Sequence, residues 1–202
     1  MKKDFLHFVN ENADYRLVFL HGWGADAEDL LPLGQELNEL LDKKLELVFL
    51  RGFEDHPDGL GRQWYPLFPH DWSLVPAANV LLQKRLKAIE SMEIGLTKTV
   101  ILGFSQGGAM ALSAACNLPV LGIIACSGYP HPGFELVSSN CAPVFLTHGQ
   151  YDEVVPKKAS EKILDNLNQK KVQADLFIFQ GGHEINKEVI EKIAIKLKNW
   201  LF

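Results

Sequence analysis

The sequence predicts an α/β fold: a mostly parallel central sheet with helices on both faces and no large lid domain. Three observations predict it. Short apolar runs alternate with helical patterns along the whole chain. The runs are continuous rather than alternating, as in strands buried on both faces. Several end at glycine turns carrying polar residues, and open α/β sheets bind ligands at the carboxyl ends of their strands.

The elements follow in order. Residues 5–9 suit an edge strand. Residues 16–20 form a buried strand ending in the turn His21-Gly22-Trp23-Gly24-Ala25-Asp26. A helix starts near Asp29, with Leu30, Leu33, Leu37, Leu40 and Leu41 near one face and Pro32 in its first turn. Leu45–Leu50 is the next strand. Residues 51–71 form a long irregular stretch with Trp64, Tyr65 and Phe68, and a loop of that length in a compact domain is usually functional. Residues 79–94 read as a helix with Leu82, Leu86 and Ile89 on one side. Residues 99–104 are a strand, followed by a helix of small residues. Strands at 119–125, 143–147 and 175–179 and helices at 157–169 and 186–201 complete the chain, with residues 127–142 as a loop. No repeat or linker interrupts it, so one domain over 1–202 is expected.

Composition excludes some partners. A net charge of -5 with no basic stripe argues against nucleic acid. No apolar run approaches the ~18 residues of a membrane span. The start has Lys2 and Lys3, but Asp4, His7 and residues 10–12 break any signal-peptide core. Cys116, Cys126 and Cys141 are odd in number and sit in apolar contexts. They read as buried free thiols in a reducing compartment, which points to the cytoplasm.

The chemistry concentrates at Gly103-Phe104-Ser105-Gln106-Gly107-Gly108, between a strand and a helix. A serine at the apex of such a turn needs a strained backbone, and its neighbours two residues away must be tiny. The helix after Ser105 aims free N–H groups and its positive end at the place where an oxyanion would form. Three other strand ends carry useful residues: Trp23, Asp152 and His183. A serine hydroxyl needs a base within reach, and His183 can take its proton and return it to a leaving group. A carboxylate on the other ring nitrogen fixes the tautomer; Asp152 is the candidate and Glu153 its rival, since Glu184 adjoins His183 too closely in sequence. The N–H groups of Gln106 and Trp23 are the candidate oxyanion donors. The order Ser…Asp…His is that of the α/β-hydrolases.

Other residues have plainer readings. His148 suits a turn residue holding the Asp152 loop, and His21 a brace of the oxyanion loop. His56, His70 and His131 lack paired ligand spacing, so no metal or other cofactor is expected. Phe104 and Cys126 read as core. Trp64 could be surface cover, a core plug or a wall of the site.

With these residues in place, the chain resembles the phospholipase/carboxylesterase family, which includes the acyl-protein thioesterases. Gly-Phe-Ser-Gln-Gly-Gly at 103–108 is similar to its serine motif. His148-Gly149 with Asp152, Val155 and Pro156 resembles its acidic motif, and Gly181-Gly182-His183 its histidine. The loop 21–26 resembles its oxyanion loop, though leucine is commoner there than Trp23. Arg62-Gln63-Trp64-Tyr65 resembles the segment beside its acyl pocket, which implies substrate contacts for Trp64 and Tyr65. Pro66 departs from the usual aspartate, and the chain is short for a lid. The resemblance runs from Arg16 nearly to the end. It implies a serine hydrolase acting on small-molecule or acylated substrates, as a monomer or homodimer, without stable membrane insertion. The absent lid and acidic charge suggest a short to medium acyl chain. A carrier-protein methyl-ester hydrolase and a catalytically silent binding protein of the same fold are the alternatives.

Overall fold

A computed structural model describes residues 4–42, 45–69, 71–90, 94–134 and 138–202. Among them a seven-stranded sheet runs through the molecule in the order β1-β3-β2-β6-β7-β8-β9. These strands are β1 (Phe5–Phe8), β2 (Tyr15–Leu20), β3 (Leu45–Leu50), β6 (Thr99–Phe104), β7 (Gly122–Cys126), β8 (Val144–Gly149) and β9 (Ala174–Phe179). Only β1 is antiparallel, at the edge against β3. Two short strands, β4 (Glu54–Asp55) and β5 (Arg62–Gln63), pair in the long irregular stretch.

The helices lie on both faces because successive strand residues point to opposite sides. Val18, Leu20, Val48 and Ile101 face a core with Leu82 and Leu86 of α2 (Val75–Glu90), Met110 and Ala114 of α3 (Gln106–Ala115) and Ile163 of α4 (Lys158–Gln169). Leu17, Phe19, Phe49 and Leu102 face the other core. There Leu33 and Leu37 of α1 (Leu31–Leu40) meet Val189, Ile193 and Leu197 of α5 (Lys187–Leu201). Asn186 caps α5, its side chain accepting from the Val189 N–H at 3.1 Å.

Several boundaries differ from expectation. α2 starts earlier, at Val75; Pro76 lies in its first turn, where a missing N–H is not needed. Residues 91–93, at the expected end of this helix, lie outside the described residues. Leu40 turns outward while Leu37 and Leu41 are buried. β8 runs on to Gly149, so His148 is a strand residue, paired in register with Ile178 of the equally long β9.

The reading of three free thiols is corrected. Cys116 caps the end of α3 and Cys141 leads into β8. Their Cα atoms are 4.4 Å apart and the two form a disulfide. Twenty-five residues of sequence separate them, so the pairing is set by strand order, which places β8 beyond β7. Cys126 alone is free and buried, and burial pushes its thiol up to about 12. The thiol argument for a reducing compartment therefore loses two of its three residues. No described helix is long and apolar enough to cross a membrane.

One buried charge ties the frame together. Arg16, fully buried at the start of β2, donates to Glu46 Oε2 of β3 at 3.1 and 3.3 Å. Its Nη1 also donates to the carbonyls of Ile89 at 3.1 Å and Ile94 at 2.6 Å. Arg16→Met leaves Glu46 Oε2 and two buried carbonyls without their donor, Oε1 keeping its contact with His7, and breaking a buried pair costs about 3 kcal/mol or more. The expected result is an unfolding free energy from urea titration lowered by that amount, with the midpoint moved down accordingly; an unchanged midpoint contradicts it.

Candidate active site

The site is built from the turn between β6 and α3. Ser105 has φ 54° and ψ -117°, a backbone conformation in which side chains are rare. A Cβ on Gly103 would run into the carbonyl of Gly107, and one on Gly107 into the carbonyls of Leu20 and His21. Glycine at both positions lets α3 leave the sheet at this angle. The Ser105 N–H donates to Cys126 O at 2.8 Å, and its carbonyl accepts from Ala109 at 3.0 Å, so strain at one residue is fixed from both sides.

His183, from the loop after β9, brings Nε2 to 3.0 Å from Ser105 Oγ. Its Nδ1 lies 2.7 Å from Asp152 Oδ2. Asp152 is set by its own loop: Oδ1 accepts from the N–H groups of Val154 at 2.9 Å and Val155 at 2.8 Å. Burial alone would push this carboxyl up, but the hydrogen bond from His183 and the two N–H groups outweigh burial and hold it below the usual carboxylate range. With Asp152 accepting at Nδ1, the imidazole carries its proton there and leaves Nε2 as an acceptor for the serine hydroxyl.

His148 reinforces this loop from inside the sheet. It is fully buried, with Nε2 2.8 Å from Val155 O and 3.3 Å from Asp152 Oδ2, and Nδ1 2.7 Å from Ser160 Oγ. Burial pulls its pKa down, against the opposing pull of the Val155 carbonyl and Asp152. Glu153 is exposed, and Glu184 accepts from the Gly182 N–H at 3.4 Å rather than from His183.

The loop 21–26, the candidate oxyanion loop, is stapled to its surroundings. His21 Nε2 accepts from the Gly52 N–H at 2.8 Å, so its proton is on Nδ1, which donates to Gly22 O at 2.7 Å. Gly24 N–H donates to Arg62 O at 3.0 Å, and Arg62 N–H to Ala25 O at 2.7 Å. Asp26 is paired with Arg51, which also reaches Glu28 at 2.5 Å. The N–H groups of Trp23 and Gln106 meet no acceptor among the described residues, and Gln106 opens α3 at its positive end.

Trp64 and Tyr65 are not on the wall of the site. Trp64 is 1% exposed and its Nε1 donates to His21 O at 2.8 Å. The buried Gln106 side chain holds this segment, accepting from Trp64 N–H at 3.1 Å and donating to Tyr65 O at 2.8 Å. Tyr65 OH lies 2.6 Å from Tyr129 OH and 2.8 Å from His131 Nε2. Burial lowers His131 to about 4, and raises Tyr129 to about 12. The two expected contacts thus lie one layer behind the surface. His70 lies outside the described residues.

A cleft of about 530 Å³ opens beside Ser105 and His183. Its wall includes Trp23, Leu67, Phe68, Trp72, Tyr129, Val154 and Pro156. Phe104, expected in the core, also reaches the cleft, its ring 4.8 Å from that of His183. Tyr129 was missed, although it follows β7 at the carboxyl edge of the sheet, the signal that found the others. The arrangement can polarise a serine hydroxyl and neutralise an oxyanion beside an apolar cleft.

A family model described as Phospholipase/Carboxylesterase matches residues 8–201. The chain is 28% identical over 202 residues to esterase FUS5 of Gibberella fujikuroi, covering 89% of this chain and 84% of that protein. It is 29% identical over 165 residues to acyl-protein thioesterase 1 of Saccharomyces cerevisiae, covering 69% of this chain and 71% of the other. The crystal structure of esterase PE8 superposes with a TM-score of 0.88 at 30% identity, covering 98% of this chain and 97% of that one.

The depressed Asp152 carboxyl has a pH consequence. It contributes stability that is present above its unfolded value, ~3.9, and is lost as pH falls through the lower folded value. The stability gap between the natural protein and Asp152→Asn is therefore expected to be widest near neutrality and to shrink on acidification below about pH 4. Urea midpoints from neutral to strongly acidic pH check it; a gap independent of pH contradicts it.

Proposed function

The chain belongs to the phospholipase/carboxylesterase family, and from that premise we propose that it is a serine hydrolase cleaving carboxylic esters or thioesters through an acyl-enzyme on Ser105. One observation carries this reading: a single imidazole lies within hydrogen-bond reach of both Ser105 Oγ, at 3.0 Å, and Asp152 Oδ2, at 2.7 Å.

The steps follow from that geometry. Ser105 Oγ attacks the carbonyl carbon while its proton passes to His183 Nε2. Negative charge gathers on the carbonyl oxygen, where the N–H groups of Trp23 and Gln106 receive it without rearrangement. Asp152 stabilises the imidazolium; its own carboxyl stays ionised because of the hydrogen bonds it accepts. The tetrahedral adduct collapses, the bond to the leaving oxygen or sulfur breaks, and that atom takes the proton from Nε2. The acyl group is now esterified to Ser105. Water, deprotonated by Nε2, attacks the same carbon, and collapse returns the proton to Oγ as the acid departs.

The proposed roles of Trp64, Tyr65 and Gln106 are linked. The Gln106 side chain grips the Trp64-Tyr65 backbone, and Trp64 grips the carbonyl of His21. The two aromatics therefore position both oxyanion donors from behind and do not touch substrate.

Ser105→Ala and His183→Ala are each expected to lower kcat for a nitrophenyl ester by at least about a thousandfold, with the fold intact by circular dichroism. Full activity in Ser105→Ala would mean that another group is the nucleophile; no turnover by the folded natural protein would return the chain to the binding-protein reading. The cleft volume of about 530 Å³ suits a short or medium acyl group. A chain-length series of nitrophenyl esters is expected to decline for longer acyl groups; activity rising steadily beyond about twelve carbons contradicts a cleft of this size.

A further inference from the structure

Five aromatic side chains from separate segments converge on the cleft beside Ser105: Trp23, Phe68, Trp72, Phe104 and Tyr129. Trp23 comes from the loop 21–26, Phe68 from the long irregular stretch and Trp72 from the short helical turn that follows it. Phe104 precedes the serine and Tyr129 follows β7. Trp23 and Phe68 meet with centroids 5.4 Å apart at 72°, and Trp72 and Tyr129 at 6.3 Å and 67°. These edge-to-face pairs match the quadrupoles of the rings, and a further ring entering between them can extend the same packing.

Trp23 is also held in place. Trp23 Nε1 donates to Gln63 Oε1 at 2.9 Å, and Gln63 Nε2 donates to Glu54 Oε2 at 3.1 Å. Behind the indole stands His56, only 7% exposed. Its Nδ1 accepts from the Asp58 N–H at 3.2 Å, which puts its proton on Nε2. That Nε2 has no hydrogen-bond partner among the described residues. Its ring stands at 71° to the Trp23 indole with centroids 4.1 Å apart and packs against it. A ring fixed in advance loses little freedom when substrate binds.

We propose that this cleft selects esters or thioesters whose acyl group ends in an aromatic ring. The inference rests on the hydrolase reading of Ser105. The leaving group must face His183 Nε2 to receive its proton, which directs the acyl group toward the remaining wall. A flat ring on a short tether gains ring–ring contacts there and has few rotors to freeze, whereas an alkyl chain of equal size gains only burial.

The test uses para-nitrophenyl esters of phenylpropanoic and cyclohexylpropanoic acids. They share a leaving group, a carbon count and an unconjugated carbonyl, so intrinsic reactivity is matched. The expected result is a kcat/KM at least about threefold higher for the phenyl ester, falling toward one in Trp23→Leu and in Phe68→Leu. Phe68 is 63% exposed, so its variant is safe for folding. A preference below threefold, or one that survives both substitutions, overturns the inference. Ser105→Ala separates the two levels. Turnover that depends on Ser105 without the preference sinks only the aromatic selectivity; turnover of neither ester, or turnover independent of Ser105, sinks the hydrolase reading and this inference with it.

Discussion

The site depends on one close approach: the backbone at Gly107 packs against the carbonyls of Leu20 and His21 at the end of the neighbouring strand. Any Cβ there would push the start of α3 off the sheet. The approach is possible because β2 and β6 are adjacent and parallel, with Leu20 opposite Gly103. It does two things at once. It forces Ser105 into its strained turn, and it sets the oxyanion loop, which begins at His21, beside the first N–H of α3. The proposed nucleophile and both proposed oxyanion donors are therefore fixed by a single contact between two strand ends.

The second half of the site is held by charge and hydrogen bonding rather than by backbone packing. Both oxygens of Asp152 are occupied: two N–H groups on Oδ1, and His183 on Oδ2. A buried carboxylate this well satisfied stays ionised and stays still. That matters because Ser105 and His183 lie 78 residues apart in sequence, and the bond from Nδ1 to Asp152 fixes how the imidazole is turned. Behind the oxyanion loop, Gln106 and Trp64 perform the equivalent task with neutral hydrogen bonds.

Much of the frame was legible in the sequence because parallel strands buried on both faces spell continuous apolar runs, as Leu45–Leu50 does. Ser105, Asp152, His183 and Trp23 were legible as a group because they follow strand ends. What escaped was set by contacts distant in sequence. Trp64 and Tyr65 carry no local mark of facing inward; the Gln106 side chain and the His21 carbonyl turn them. Cys116 and Cys141 pair only because of strand order. The partners of Arg16 include carbonyls near the far end of α2 and just beyond it, which no pattern in β2 announces. Tyr129 obeys the strand-end rule, but a tyrosine attracts less notice there than a serine, an aspartate or a histidine.

The central claim is that Ser105 is a nucleophile activated by His183. Labelling with a fluorophosphonate probe, with the modified residue read by mass spectrometry, tests it most directly. An adduct on Ser105 is expected in the natural protein, and none at that site in Ser105→Ala or in folded His183→Ala. Folded natural protein that takes no adduct, or takes it elsewhere, would contradict the account.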